Sequence, residues 1–203
     1  MSDQHALTWP TITEAPAYAD EHIQALLKRC LCGEEAAYVA LYNEYAGMIY
    51  RLVYGLLQNK EDAEEVLQDS FEYAFRKLAQ YNPHKSGFKT WLYQIAISRS
   101  RNKRRRKWLP TFPLNQLMGQ DVTDAETPTP DEAMSLTQKQ QVVWAALGQL
   151  SPKLRETAVL RYYDNLNYQE IGLILDIPAK TAESRMRLAH KALRELLTEQ
   201  DVL

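Results

Sequence analysis

The chain has 203 residues, 45% of them hydrophobic, and a formal net charge of -2. That length leaves room for one or two small domains, and the apolar content excludes a disordered chain. A near-neutral total would also argue against nucleic acid, but residues 99–107 carry seven basic side chains and no acidic one, while residues 1–98 are net acidic. A field that concentrated binds phosphates locally whatever the total.

Cys30 and Cys32 are the only cysteines. Two apart on a helical stretch, their side chains diverge, so reduced thiols are expected rather than a disulfide. No His or Cys cluster follows at zinc spacing, and His5, His22, His84 and His190 are scattered, so no metal or other cofactor is expected. There is no Gly-rich phosphate loop and no nucleophile–base constellation, which argues against an enzyme. No apolar run has transmembrane length and no signal peptide is evident, so the expected home is the cytoplasm.

In chain order, residues 1–20 read as a flexible lead-in, with Pro10 and Pro16. A short helix follows from about Asp20 to Arg29, with Ile23, Leu26 and Leu27 apolar, and Gly33 interrupts. From Glu34 to about Gln58, Tyr38, Leu41, Tyr42, Tyr45, Ile49, Leu52, Val53 and Leu56 recur at three- and four-residue steps, the helical period. Glu61 to about Ala79 is a second helix, acidic in its first turns, as the helix dipole favours. Val66, Leu67, Phe71, Ala74, Phe75 and Leu78 form its buried stripe. Pro and Gly make 81–87 a loop. Phe88 to about Lys107 is a third helix, with Phe88, Trp91, Leu92, Ile95 and Ala96 inward before the pattern turns basic.

Residues 110–131 have the composition of a linker, with Leu114, Leu117 and Met118 offering a segment that could dock elsewhere. A second helical unit then occupies 132–203. One helix runs from about Asp131 to Gly148. Another starts at Ser151-Pro152, with Ser as cap and Pro at the first helical position. A short helix opens at Leu166-Asn167-Tyr168-Gln169-Glu170 with Asn167 as its cap, reaches Leu175 and turns at Asp176-Ile177-Pro178; a last helix covers Ala179 to about Leu197. Two helices joined by a tight turn match a helix-turn-helix over 167–187. The fold class expected is all-α, two small helical domains joined by a linker.

Two motif sets stand in order in this pattern. The first is Glu61-Asp62-Ala63-Glu64-Glu65-Val66-Leu67-Gln68-Asp69-Ser70-Phe71 followed by Phe88-Lys89-Thr90-Trp91-Leu92-Tyr93-Gln94-Ile95-Ala96. The second is Leu150-Ser151-Pro152-Lys153-Leu154-Arg155-Glu156, Leu160-Arg161-Tyr162, Tyr168-Gln169-Glu170-Ile171, and Thr181 with Ser184-Arg185. They resemble regions 2 and 4 of the sigma-70 family of RNA polymerase sigma factors, in its small extracytoplasmic-function (ECF, group 4) branch. The resemblance implies a two-domain factor without regions 1.1 and 3. Region 2 would span 21–109 and region 4 would span 132–203.

The resemblance also implies partners: the clamp coiled coil of the largest subunit and the flap of core RNA polymerase, promoter DNA at the -10 and -35 elements, and, as in many relatives, an anti-sigma factor. For the clamp, Asp62, Glu65, Gln68, Asp69 and Glu72 are the candidates. For the -10 element, the loop offers Tyr81, Asn82, His84 and Lys85, and the basic helix offers Arg99, Arg101, Lys103, Arg104, Arg105 and Arg106. An unstacked base needs a pocket and its backbone needs cations. Trp91 could stack on a base, but its place on the apolar stripe argues for core. For the -35 element, Tyr168, Gln169, Lys180, Thr181, Glu183, Ser184, Arg185 and Arg187 lie where a recognition helix enters the major groove.

Four positions depart from the family pattern: Asp176 at the usual turn Gly, Lys180 for Gly, Ala182 for Val and Leu188 for Arg. They leave the fold intact and alter what promoter sequence would be read. Two other classes stay open on sequence: a helix-turn-helix regulator that does not bind core polymerase, and an interaction module whose basic block is a solvated face.

Overall fold

A computed structural model describes residues 17–108 and 138–198 of the chain. Among these residues all regular structure is helical. Residues 1–16 of the lead-in, the linker and the start of the helix expected from Asp131 lie outside the described residues, while residues 17–20, expected in the lead-in, are already helical.

Helix α1 (Ala17–Leu31) buries Ile23, Leu26, Leu27 and Cys30, the three- and four-residue spacing of one helix face. The chain turns at Gly33, and the Tyr38 hydroxyl donates to the Cys30 carbonyl at 2.7 Å, fixing the angle into α2 (Glu35–Leu57). Helix α2 ends on Gln58 in the left-handed region, and Asn59 then caps α3 (Lys60–Arg76), its Oδ1 accepting the Asp62 N–H at 2.8 Å. Helix α3 stops earlier than its pattern suggests: Leu78–Gln80 tighten into a 3-10 turn. After the loop comes α4 (Phe88–Trp108). Both cysteines are free thiols, Cys30 buried and Cys32 exposed.

The second half begins with α5 (Gln138–Gln149) and α6 (Pro152–Tyr163). Ser151 does sit at the N-cap of α6, but its side chain makes no capping bond; its backbone carbonyl accepts from Leu154 and Arg155 instead. Helix α7 (Tyr168–Leu175) has a full capping box. Asn167 Oδ1 accepts from Gln169 and Glu170 at 2.9 Å, and Glu170 accepts the Asn167 N–H at 2.7 Å. The turn into α8 (Ala179–Thr198) uses Asp176 at φ 56°, a left-handed conformation that Asp tolerates. Gly172 is needed here for space: a Cβ would lie 2.7 Å from the Ile177 carbonyl oxygen.

The two halves pack against each other through α2 with α6 and α4 with α7. One apolar cluster runs across the seam, joining Leu52, Val53, Leu92 and Ile97 to Val159, Leu160, Ile171 and Ile174. A second cluster, around Ala146, Leu147, Met186 and Leu193, belongs to the second half alone. Helix α6 is the shared element: Glu156, Thr157, Ala158, Val159 and Leu160 are all buried, so it has packing partners on opposite sides. An amphipathic surface helix would bury only one stripe.

Polar side chains reach across the seam to backbone carbonyls. Gln58 donates to Trp144 O at 2.6 Å, Arg155 to Leu56 O at 3.1 Å, and Gln94 to Leu173 O at 2.8 Å. Tyr54 stacks on Trp144 with centroids 4.7 Å apart. At the centre Tyr93 meets Asp164; both are buried, and neither the Tyr93 hydroxyl nor Asp164 Oδ2 completes a hydrogen bond. Burial pushes the Asp164 carboxyl above the ordinary carboxylate range, with Tyr93, Lys89 and Arg51 pulling the other way, and burial also raises the Tyr93 phenol.

A carboxyl whose pKa is raised by folding favours the folded state most when protonated. That contribution is full below the unfolded value, about 3.9, and is lost as pH rises through the raised folded value. At pH 7 Asp164 is therefore a cost. Asp164→Asn is expected to stabilise the chain by about 1 kcal/mol at pH 7, with the gap to wild type narrowing as the pH falls toward the ordinary carboxylate range. Urea unfolding of both proteins across that range measures it; a gap that stays constant with pH would refute the assignment.

Candidate functional site

Helix α3 presents Glu65, Gln68 and Glu72 to solvent at three- and four-residue steps, with Asp69 half-buried beside them. Gln68 and Glu72 rim a shallow groove of about 440 Å³ whose apolar wall is Tyr42, Leu67, Phe71 and Phe75. The surface is a greasy strip edged with carboxylates, suited to a basic, amphipathic partner. Asp62 does not share it. This residue is 7% exposed and turns back on α4, with Lys107 Nζ at 2.5 Å and Lys103 Nζ at 3.4 Å. It braces the two helices against each other, which corrects its expected place in the exposed row. Glu65 is exposed but also accepts from Lys103 at 2.5 Å, and that hydrogen bond, together with Asp62, raises the Lys103 pKa.

The loop and basic helix form a second surface. Asn82, His84 and Lys85 are exposed at the loop tip, where the His84 N–H donates to Asn82 Oδ1 at 2.9 Å in an Asx-type turn. Tyr81 is half-buried: its ring lies against Phe88 and Trp91, 5.6 and 5.3 Å between centroids, and its hydroxyl donates to Ser86 O at 3.0 Å. Tyr81 therefore shapes the base of the loop. Trp91, expected in the core, is half-buried in the same cluster.

The seven cations of residues 99–107 in α4 point three ways. Arg99 lies over the Tyr73 ring at 4.4 Å, and Lys103 and Lys107 pair with Asp62 and Glu65, so this row faces α3. Arg101 and Arg104 face the second half, where both grip Glu156. Arg101 donates from Nε at 3.0 Å and from Nη2 at 2.7 Å, and Arg104 donates from Nη2 at 3.2 Å. Arg105 and Arg106 are exposed, with no ion pair among the described residues.

The third surface is the helix-turn-helix. Lys180, Glu183 and Arg187 stand out from α8 at three- and four-residue steps; Thr181, Ser184 and Arg185 are half-buried behind them. Gln169 is exposed in the first turn of α7, and Tyr168 is half-buried under the Arg161 guanidinium at 5.4 Å. Leu173 and Leu188 are large apolar residues left 61% and 53% exposed. Among the described residues no group of His, Cys, Asp and Glu could hold a metal ion, and no helix is long and apolar enough to cross a membrane.

Sequence reasoning missed Glu156, Asp164 and Lys107. The signal for the first was present: Tyr93, Ile97, Arg101 and Arg104 share one face of α4, an apolar stripe that becomes basic and so calls for an acid on whatever packs there.

The profile described as Sigma-70 region 2 matches residues 41–109, and that described as Sigma-70, region 4 matches residues 140–193. The ECF RNA polymerase sigma factor SigW of Bacillus subtilis is 28% identical over 87% of this chain and 97% of that protein. The ECF RNA polymerase sigma factor SigE of Mycolicibacterium smegmatis is 31% identical over 82% of this chain and 65% of its own length. Two solved structures share the fold. CnrH, in complex with the cytosolic domain of CnrY, has a TM-score of 0.65 at 20% identity, covering 87% of this chain and 97% of CnrH. RpoE of Bartonella quintana, in complex with the anti-sigma factor NepR, has 0.63 at 21% identity, covering 79% and 96%. With both regions matched in order over most of the folded chain, the protein belongs to the sigma-70 family of RNA polymerase sigma factors, in its ECF branch.

Proposed function

We infer that the chain binds core RNA polymerase, brings it to promoters and helps open the -10 element, working by binding rather than by turning over a substrate and doing so in the cytoplasm. The observation that carries this is the joint presence of an acid-edged apolar groove, a basic helix and a helix-turn-helix, in the order of regions 2 and 4. A helix-turn-helix regulator that never meets polymerase would leave the first two without a use.

Residue roles follow from exposure and charge. Glu65, Gln68, Asp69 and Glu72 hold the clamp coiled coil, Phe71 and Phe75 giving the apolar contact and Asp62 holding α4 in place. Asn82, His84 and Lys85 contact the unstacked -10 bases, with Tyr81 supporting the loop. Arg105 and Arg106 take phosphates directly, joined by Arg101 and Arg104 when Glu156 is displaced. Lys180, Glu183 and Arg187 read or flank the -35 element, with Thr181, Ser184, Arg185, Tyr168 and Gln169 behind them. An anti-sigma factor would fit the same acid-edged groove.

Mixing the purified chain with core polymerase is expected to give a stable complex on gel filtration and promoter-dependent run-off transcripts. Absence of both would end this reading. Glu65→Ala with Glu72→Ala should weaken the complex about tenfold while leaving the circular dichroism of the chain unchanged. A separate measurement addresses the phosphates. Each cation lost should flatten the slope of log affinity against log salt by about 0.7 for single-stranded DNA. Arg105→Ala with Arg106→Ala in the holoenzyme is therefore expected to lower the slope by about 1.4, and an unchanged slope would remove both from the interface.

A further inference from the structure

We propose that the tip of the 81–87 loop is a base selector with a donor edge: the base it captures from the opened strand carries a carbonyl, and adenine, the one DNA base without a carbonyl, is refused. The proposal rests on the reading of this loop as the contact to the unstacked -10 bases, and it names which bases that contact takes.

The loop engages its own acceptors before any base arrives. Asn82 Oδ1 accepts the His84 N–H at 2.9 Å, and the Asn82 backbone carbonyl accepts the Lys85 N–H at 3.1 Å. The Ser86 carbonyl accepts the Tyr81 hydroxyl at 3.0 Å, and the Gly87 carbonyl accepts the Trp91 N–H at 3.1 Å. The first of these bonds also settles which way the Asn82 amide points. Only the amide oxygen can accept a backbone N–H, so the oxygen faces the turn and the NH2 group is the end left for a ligand. Asn82 and Lys85 are both exposed. The amide NH2 of one and the ammonium of the other are donors only. His84 adds a ring with one donor and one acceptor nitrogen when neutral, which favours neither kind of base.

A reader must also hold still. The Tyr81 ring packs on Phe88 and Trp91, with centroids 5.6 and 5.3 Å away, while its hydroxyl ties down the far side of the loop at Ser86. The Asx turn fixes the tip in the same way. The donors are therefore held in place, and a base with the wrong edge leaves them unpaired, which is how a polar site rejects a near match.

Base chemistry then decides the choice. Asparagine ordinarily takes adenine with both ends of its amide, oxygen to the N6 amino group and nitrogen to N7. Here the oxygen is spent, and that pairing is lost. Guanine O6, thymine O4 and cytosine O2 are carbonyl oxygens that a donor edge matches. Adenine offers ring nitrogens alone, beside an amino group that would face other donors.

The test selects strands with the protein in its working form. Holoenzyme made from this chain and core polymerase is mixed with 20-nucleotide single DNA strands of random sequence, and the bound strands are sequenced. Adenine should be depleted about tenfold at one position of the selected motif, which carbonyl bases fill. Asn82→Asp keeps an oxygen for the His84 N–H, and so keeps the turn, but puts an acceptor where the donor was. Its negative charge weakens every strand alike, so the ratio of bases is the readout, and the depletion at that position should vanish. Adenine at parity at every position bound by the wild type would overturn the proposal, as would a depletion that Asn82→Asp leaves unchanged. Holoenzyme that binds no single strand would instead remove the loop's contact with DNA, and the proposal with it.

Discussion

A carboxylate without water needs cations, and Glu156 is such a carboxylate. Its burial in α6 would be prohibitive without compensation. Arg101 and Arg104 supply it, three hydrogen bonds to one group. This requirement fixes the rotation of α6 against α4, and much of the seam follows from it. With α6 set, Val159 lies over Gly55, where only a hydrogen would fit comfortably. Helix-end carbonyls that lack intrahelical partners then find donors from the opposite half: Leu56, in the last turn of α2, accepts from Arg155, and Leu173, in the last turn of α7, accepts from Gln94. Asp164 shows the opposite case, a buried acid whose desolvation outweighs the pull of Tyr93, Lys89 and Arg51, and its raised pKa is the consequence.

The basic block of α4 is not one patch. A helix advances 100° per residue, so seven cations within nine positions must point in several directions. Arg99, Lys103 and Lys107 fall at four-residue steps and meet the ring and carboxylates of α3. Arg101 and Arg104 fall three apart and meet Glu156. What remains exposed and without an ion pair among the described residues is Arg105 and Arg106. Five of the seven thus do structural work in this closed arrangement, and the charge count overstates the field that DNA would first meet. The acidic start of α3 has a matching double duty: Asp62 is spent inside, and the carboxylates beyond it stay outside. An acidic face and a basic end on neighbouring helices hold each other in register and leave a remainder of each for partners.

The fold was largely legible because its helices obey the period that sequence reveals. Ile23, Leu26 and Leu27, and the long apolar run of α2, stand where their spacing puts them. Asn167 was readable as a cap because Glu170 completes the box three residues on. Asp176 was readable as a left-handed turn residue only through the resemblance, which puts it at the usual turn Gly, and its φ is 56°. Ser151 shows the limit of such signals: the residue type and position were those of a cap, but the backbone carbonyl took the role and the hydroxyl stayed out. The seam was harder to read. Tyr93, Ile97 and Ser100 form a second buried stripe on α4, hidden because one stripe was enough to explain a helix. Asp62 looked like its neighbours in sequence, and only the approach of Lys103 and Lys107 separates it from Glu65. Contacts between distant segments leave no local period, so the acids and bases that meet across the seam could not be paired from spacing.

Opening such a seam is costly only if its parts must be left unsatisfied, and most of them need not be. Arg101 and Arg104 exchange a carboxylate for water or for any anion that offers bidentate acceptors. Glu156 and the helix-end carbonyls exchange protein donors for water. The apolar residues along α2, α4 and α6 gain nothing from solvent, so their burial is the main resistance to opening. Between Trp108 and Gln138 lie 29 residues, a contour of roughly 100 Å if drawn out. The balance between shut and open is therefore set by how much apolar surface the polymerase can re-cover, and a partner that lies along the groove of Tyr42, Phe71 and Phe75 without touching the seam would leave that balance where it was. A partner that also covers the α2–α6 face would shift it.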